Sequence, residues 1–383
     1  MYIPFNKPFI SGRELEFILE AVNSGKISGD GMFTRKCHEF FQTNYGLNKC
    51  LLTTSCTDAL EMAAILTKIQ EGDEVIMPSY TFVSTANAFR LRGAKIIFAD
   101  SRKDHPGVDE DQIESLITTR TKAIVPVHYA GVACQMDRIT ALAKKYSLFV
   151  VEDAAQAIDS YYTGADGKKK ALGSIGDLGA FSFHETKNVI AGEGGMLAVN
   201  NKEFAERSEI IREKGTNRSA FFRGEVDKYG WVDIGSSYLP SDIIAAFLYA
   251  QLENLQLIQE RRKQIWELYW KRLNPLQNAG KVKLPVIPDY ATNNAHMFYL
   301  VLNSLKDRTG LIEALKKYDI HAVFHYVSLH KSSYYVQGKE AQPLPMVELY
   351  SDRLLRLPLF FDLTDEQVNM ISDMIINYFG LPA

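Results

Sequence analysis

Short apolar runs alternate with helical patterns through the first two-thirds of the chain. The runs Cys50–Thr53, Glu74–Met77, Lys95–Ala99, Ala123–Val127, Leu148–Val151, Ala180–Phe183 and Met196–Val199 are rich in Val, Ile and Phe and are apolar on both faces. Strands covered on both sides in a parallel sheet read this way. Between them, Thr57–Ile69, Ser84–Arg92, Asp109–Ile117, Met136–Tyr146 and Lys202–Glu213 carry helical spacing. The alternation predicts an α/β fold, a mixed, mostly parallel sheet layered between helices with right-handed crossovers. The run Lys168–Lys170 follows Gly164 and Gly167 and reads as a solvated turn.

A continuous helical pattern then runs from about Ser241 to Leu273, with Pro240 near its start and Pro275 just past its end. At 1.5 Å per residue it would span about 45 Å, long enough to bridge two units. Beyond it the order changes to a strand at Met297–Leu302, a helix at Thr309–Tyr318, a strand at Ala322–Tyr326 and a closing helix at Asp365–Phe379. This divides the chain into a large α/β domain, residues 1–255, and a smaller C-terminal α+β domain, residues 256–383. A length of 383 residues agrees with two domains at about 150 residues each.

Composition narrows the function. Hydrophobic residues make up 46% of the chain and the net charge is −3, so there is a large core and no basic excess of the kind that binds nucleic acid. The longest apolar stretch, near Ile243–Ala250, is far shorter than the ~20 residues of a membrane span. Met1–Ser11 has no apolar signal core. Four cysteines without C-x-x-C pairing, and histidines without zinc-type spacing, make a disulfide scaffold or structural metal unexpected. The expectation is a cytoplasmic protein with no membrane or nucleic-acid partner.

Open α/β sheets bind ligands beyond the carboxyl ends of their strands. Three such ends carry chemistry. Thr54-Ser55-Cys56-Thr57-Asp58 is a hydroxyl-rich turn feeding a helix. Alone it is an ordinary cap by Ser55 or Thr57, but its free N–H groups also suit a phosphate. The buried run Leu148–Val151 ends in Glu152 and Asp153, followed by small residues and Gln156. A buried carboxylate needs a cation or hydrogen-bond donors, whether a structural partner, an arginine, a metal or a protonated ring nitrogen. Ser182-Phe183-His184-Glu185-Thr186-Lys187-Asn188 ends a strand in a hydroxyl, a histidine and a lysine, and a glycine cluster follows at Gly192–Gly195. A lone lysine is usually solvated, yet one shielded beside a carboxylate pocket is a Schiff-base candidate. Together, a phosphate cradle, a carboxylate and a lysine describe a pyridoxal-phosphate site.

The same stretches carry a family resemblance. With Ile3–Phe5, Ser24–Gly31, Gly72–Pro78, Val125–Gly131, Glu152–Gln156, His325-Tyr326, Leu329-His330 and Leu357–Leu359, the chain resembles the DegT/DnrJ/EryC1/StrS family of sugar aminotransferases of fold type I over nearly its whole length. The resemblance implies pyridoxal 5'-phosphate as cofactor and a homodimer with shared active sites. It implies L-glutamate as donor and a nucleotide sugar as acceptor, with C4 of dTDP-4-keto-6-deoxyglucose the expected position. Lys187 would be the Schiff-base lysine and proton carrier, Asp153 the partner of the pyridinium nitrogen, and His184 would shape the site beside Lys187. Gln156 would meet the phenolic oxygen region and Phe82 would stack on the ring. Cys56, Thr57 and Ser182 would hold the phosphate, with Ser55 in the same turn. Two positions depart from the commoner pattern: Ser55-Cys56-Thr57 replaces Ser-Gly-Thr, and Ser237 stands where an asparagine reaches the neighbouring subunit's cofactor. Lys187 stands where a dehydratase branch has histidine, which favours transamination.

The nucleotide is expected along Lys214–Tyr229, with Lys214, Asn217, Arg218, Arg223, Lys228 and Tyr229 as candidate contacts beside Phe221 and Phe222. His325 and His330 are candidates for the sugar. Two other readings stand beside this one. One is amination at C3 or with the other C4 stereochemistry; the other is a silent homologue that only binds a nucleotide sugar.

Overall fold

The structure is a computed structural model and describes residues 2–337 and 341–381. Two N-terminal helices, α1 (Glu14–Asn23) and α2 (Met32–Tyr45), precede β1 (Lys49–Thr53). An alternating series follows: α3 (Cys56–Leu66), β2 (Glu74–Pro78), α4 (Val83–Arg90), β3 (Lys95–Ala99), α5 (Glu110–Leu116), β4 (Thr121–Ile124), α6 (Met136–Tyr146) and β5 (Phe149–Asp153). Then come β6 (Tyr161–Thr163), β7 (Lys169–Ala171), β8 (Leu178–Ser182), β9 (Gly195–Val199), α7 (Ala205–Arg212) and α8 (Arg218–Phe222). Helices α9 (Asp242–Glu253) and α10 (Leu255–Asn278) lead into β10 (Val282–Lys283), β11 (Phe298–Leu302), α11 (Leu305–Lys316) and β12 (Val323–Phe324). The chain closes with α12 (Ser333–Val336), α13 (Pro345–Arg353), β13 (Leu354–Leu357) and α14 (Asp365–Tyr378).

Seven strands form one sheet in the order β1, β9, β8, β5, β4, β2, β3. Its pairs are parallel except those of β9, which runs against both β1 and β8. The expected mixed, mostly parallel sheet is thus present, and the reversal of β9 leaves every other strand pointing its carboxyl end to one edge. Alternate side chains serve opposite faces. Leu51, Val75 and Met77 pack with α3 and α4, whereas Cys50, Leu52 and Ile76 pack with α1, α2, α6 and α9.

A second sheet, β10, β11, β13, β12, is antiparallel. Phe298, Leu300 and Leu302 of β11 face α10 and α14, while Met297, Tyr299 and Val301 face the core shared with α3 and α4. The first residues, expected with the large unit, pair here instead: Ile3 bridges Ile320, donating to Asp319 O at 2.9 Å and accepting from His321 N at 3.0 Å.

Three local expectations change. The Lys168–Lys170 run is not a free turn, because Lys169–Ala171 pairs antiparallel with Tyr161–Thr163 and Lys169 lies 4.2 Å from the Tyr161 ring centre. The single long helix is two, α9 and α10. They part at Asn254 (φ −105°, ψ 11°), whose side-chain amide donates to Ala250 O at 2.9 Å. Pro275 lies inside α10, not past its end. No helix among the described residues is long and apolar enough to cross a membrane.

Candidate active site

The carboxyl ends of β1, β2, β4, β5 and β8 open onto a cavity of about 790 Å³, closed on the other side by β12, β13 and the segment around Phe5 and Asn6. The turn after β1 contributes Ser55, Cys56 and Thr57. Ser55 is a true cap: its Oγ accepts from Asp58 N at 3.1 Å. That leaves the N–H groups of Cys56 and Thr57 without acceptors among the described residues, directed by the start of an 11-residue helix. Cys56 has no positive φ, so the position that commonly holds glycine demands none here. The close approach falls to Gly195 on β9, where a Cβ would run into the Ser55–Cys56 backbone.

The two carboxylates ending β5 part company. Glu152 is fully buried and accepts from the N–H groups of Gly173 (2.8 Å), Ile175 (2.7 Å) and Gly176 (2.6 Å), with His128 Nε2 at 2.9 Å. Its role is structural. Asp153 lines the cavity, 5% exposed, accepting from Thr85 Oγ1 at 2.7 Å and Ala155 N at 3.1 Å. Because Thr85 gives its proton to Asp153, the 2.8 Å contact between Thr81 and Thr85 must run from Thr81. No cation pairs with Asp153 among the described residues.

Beyond β8 the chain turns through His184 and Lys187, tied by Lys187 N to His184 O at 2.9 Å and Glu185 N to Gly192 O at 2.9 Å. Asn188 anchors the turn to the core, donating to Gln259 Oε1 and Asn294 O, each at 2.8 Å, and accepting from His296 Nδ1 at 2.7 Å. Lys187 is thereby held facing the cavity, and no hydrogen bond or salt bridge engages its amine among the described residues. Burial lowers its pKa, opposed by the nearby Cys56 and Asp153. Ser182 and His184 line the same wall, with His184 Nδ1 2.9 Å from Thr186 Oγ1.

Phe82, at the start of α4, is 57% exposed, so it is an aromatic at the cavity mouth and not a core phenylalanine. Gln156 accepts from Ala130 N at 2.6 Å and donates to Tyr326 Oη at 3.1 Å, which fixes its amide against the wall. His325 lines the cavity and shares a 2.9 Å hydrogen bond with Tyr129 Oη; burial pushes its pKa well down.

The remaining candidates lie elsewhere in this chain. His330 is 1% exposed, packed between Ser79 Oγ (2.8 Å) and Glu348 (3.5 Å), because the turn after β12 buries it against β2. Ser237 is exposed and bridged to Glu213. Arg223 is paired with Glu225 (2.7 Å) and Glu209 (2.9 Å), and Asn217 accepts from Gly230 N at 2.8 Å. Arg218 lies 5.1 Å from the Phe222 ring centre, and Lys214 and Tyr229 are exposed. None of them lines the cavity. In their place the structure adds Thr85, His296, Tyr326 and Arg356. For Arg356 there was a signal: a single charge in the otherwise apolar strand Leu354–Leu357. The link from Thr85 to Asp153 spans 68 positions and leaves none.

A strand-end cavity holding a free helix N-terminus, an unpaired aspartate and an unpaired lysine defines a pyridoxal-phosphate-type site on a fold type I scaffold. The chain belongs to the DegT/DnrJ/EryC1/StrS aminotransferase family, whose profile matches residues 8–376. The spore coat polysaccharide biosynthesis protein SpsC of Bacillus subtilis is 32% identical over 383 residues, covering 98% of this chain and 96% of its own. The aminotransferase TlmJ from Streptoalloteichus hindustanus superposes with a TM-score of 0.90 at 27% identity, covering 99% of each chain. Spr1654 from Streptococcus pneumoniae, in its PMP form, gives 0.88 at 26% identity over 97% of this chain and 98% of its own; its PLP form gives 0.87. The family is one of sugar aminotransferases and depends on pyridoxal 5'-phosphate. The residues present fit that cofactor: Cys56, Thr57 and Lys187 line the cavity, and the two N–H groups and the lysine amine have no partner among the described residues.

Proposed function

We propose that the protein transfers the amino group of L-glutamate to C4 of dTDP-4-keto-6-deoxy-D-glucose, giving dTDP-4-amino-4,6-dideoxy-D-galactose. The observation that carries the chemistry is the meeting of Asp153, Lys187 and the start of α3 in one cavity. The acceptor is supported by Pro78–Phe89, Ser182–Asn188 and Arg212–Ser219, which resemble the enterobacterial transaminase that makes this sugar. The polysaccharide role in SpsC's name agrees with an amino-sugar product.

When bound, the cofactor supplies an electron sink next to the carbon that exchanges the amine. The chain's own residues do the rest. The Cys56 and Thr57 N–H groups, with the Thr57 and Ser182 hydroxyls and the flanking Ser55, would hold the phosphate. Asp153 would keep a proton on the ring nitrogen, through a charge-assisted bond worth roughly 1.5–3 kcal/mol, and Thr85 orients that carboxylate. Phe82, at the cavity mouth, would stack on the ring, and Gln156 would meet its phenolic side. Lys187 would hold the cofactor, and its buried amine, with its pKa lowered, would carry the proton at the reacting carbon. His184 shapes the wall beside it.

Ser237 and the Lys214–Tyr229 segment lie outside the cavity of their own chain, and Phe222 (68%), Trp231 (85%) and Val232 (54%) are exposed beside them. This patch supports a homodimer in which the segment completes the partner's site and meets the nucleotide. The two sheets support the division near residue 255 into a large and a small domain.

Product analysis tests the acceptor. Incubation with the keto sugar nucleotide and L-glutamate, followed by NMR of the product, should show an axial amine at C4. An equatorial C4 amine, a C3 amine or an unchanged sugar would overturn this substrate.

A further inference from the structure

We propose that Arg356 is the receptor for the α-carboxylate of the amino donor. This rests on the aminotransferase reading and deepens it. Arg356 sits mid-strand in the second sheet, opposite Tyr299 on one side and Val323 on the other, between buried leucines. Its guanidinium carbon lies 4.5 Å from the Phe5 ring centre, and the side chain lines the cavity.

Arg356 is the one arginine that lines the cavity among the described residues. Arg102 is paired with Asp104 and Glu110, Arg207 with Asp233 and Arg212 with Asp30, whereas no carboxylate pairs with Arg356 among the described residues. Its Nε is buried with no hydrogen-bond partner. A buried guanidinium without an anion is costly, and a planar fork of donors suits a carboxylate bidentately. Burial without such a partner pulls its pKa below the ordinary range.

Position selects among the anions. The cofactor phosphate has its own donors at the start of α3. A nucleotide sugar carries its diphosphate at C1, across the ring from a reacting C4. The α-carboxylate of an amino acid is one bond from the carbon whose proton Lys187 moves. Arg356 lines the same cavity as Lys187, His296 and His325, and its charge lowers the pKa of all three. When the keto sugar takes its turn, its neutral oxygens meet the same donors, so one cavity serves both substrates and the arginine favours the donor.

The test uses the holoenzyme and two donors, L-glutamate and 4-aminobutanoate, which is glutamate without its α-carboxylate. The readout is the single-turnover loss of the yellow cofactor absorbance. Arg356→Gln should lower kcat/KM for L-glutamate by about tenfold to a hundredfold, mainly through KM. The preference for L-glutamate over 4-aminobutanoate should shrink by the same factor. Arg356→Lys, which keeps the charge but not the fork, should fall between and guards against a folding defect in the glutamine variant. Pyridoxal phosphate affinity, titrated by fluorescence of the apoprotein, should hold in both. An unchanged donor preference overturns the assignment, and so does a loss of cofactor affinity, which would place Arg356 on the phosphate. A wild-type protein that takes up the cofactor but does not respond to L-glutamate overturns the donor reading itself.

Discussion

Glu152 and Asp153 show how much one residue step decides. Successive strand residues face opposite sides. Glu152 therefore enters a nest of backbone N–H groups, and Asp153 enters the cavity. The sequence displays the pair but not the division, because the donors to Glu152 lie 21 to 24 positions away and Thr85 lies 68 away. Substitution separates the roles. Asp153→Ala should fold, keep some cofactor and lose turnover by about tenfold to a hundredfold or more, the worth of a charge-assisted hydrogen bond. Glu152→Ala should lose roughly 3 kcal/mol or more of stability in denaturant titration, since it orphans three backbone donors. Full activity of the first variant or wild-type stability of the second would contradict this division of labour.

Among the elements, periodicity located each strand of the large sheet to within a few residues, because strands buried on both faces announce themselves. What escaped has short or mixed signals. The β6–β7 pairing is three residues long and hides behind a lysine run. The break at Asn254 is a local backbone choice inside an unbroken helical pattern. Helices α1 and α2 are additions, although Phe33, Cys37, Phe41 and Tyr45 recur every four residues and are all buried. Helix α2 also guards the sheet edge. His38 Nε2 accepts the outward N–H of Leu52 on β1 at 3.0 Å, and Arg212 meets the Leu52 carbonyl at 3.4 Å. Burial, with Arg212 adding repulsion, holds His38 at about 3, far below its ordinary 6.5. The unfolded chain therefore binds the extra proton between those values. Stability from this group is complete above about pH 6.5 and falls on acidification toward pH 3, by up to about 1.4 kcal/mol per pH unit. Urea titrations across this range should show a shallower decline for His38→Gln, whose amide oxygen can accept the same N–H without titrating. An identical slope in wild type and variant would remove His38 as a source of acid sensitivity.

In the whole molecule, two sheets close on one cavity, and residues from Phe5 to Arg356 meet there. The cofactor end was legible because it lies at the ends of strands that sequence pattern reveals. The end around Arg356 was not, because it depends on how the second sheet faces the first. The segment 214–229 read as nucleotide contacts from its charges and aromatics, yet it lies outside its own chain's cavity, which in our proposal is a consequence of a site built by two copies. The central claim is that Lys187 holds pyridoxal phosphate in this cavity and exchanges it with L-glutamate. The most direct measurement is the visible absorption spectrum of the purified protein with pyridoxal phosphate, before and after L-glutamate, beside Lys187→Ala. The account predicts a yellow band that bleaches with glutamate in the wild type, and a variant that borohydride cannot link to the cofactor through residue 187. A wild type without the band, or a variant that responds as the wild type does, would contradict it.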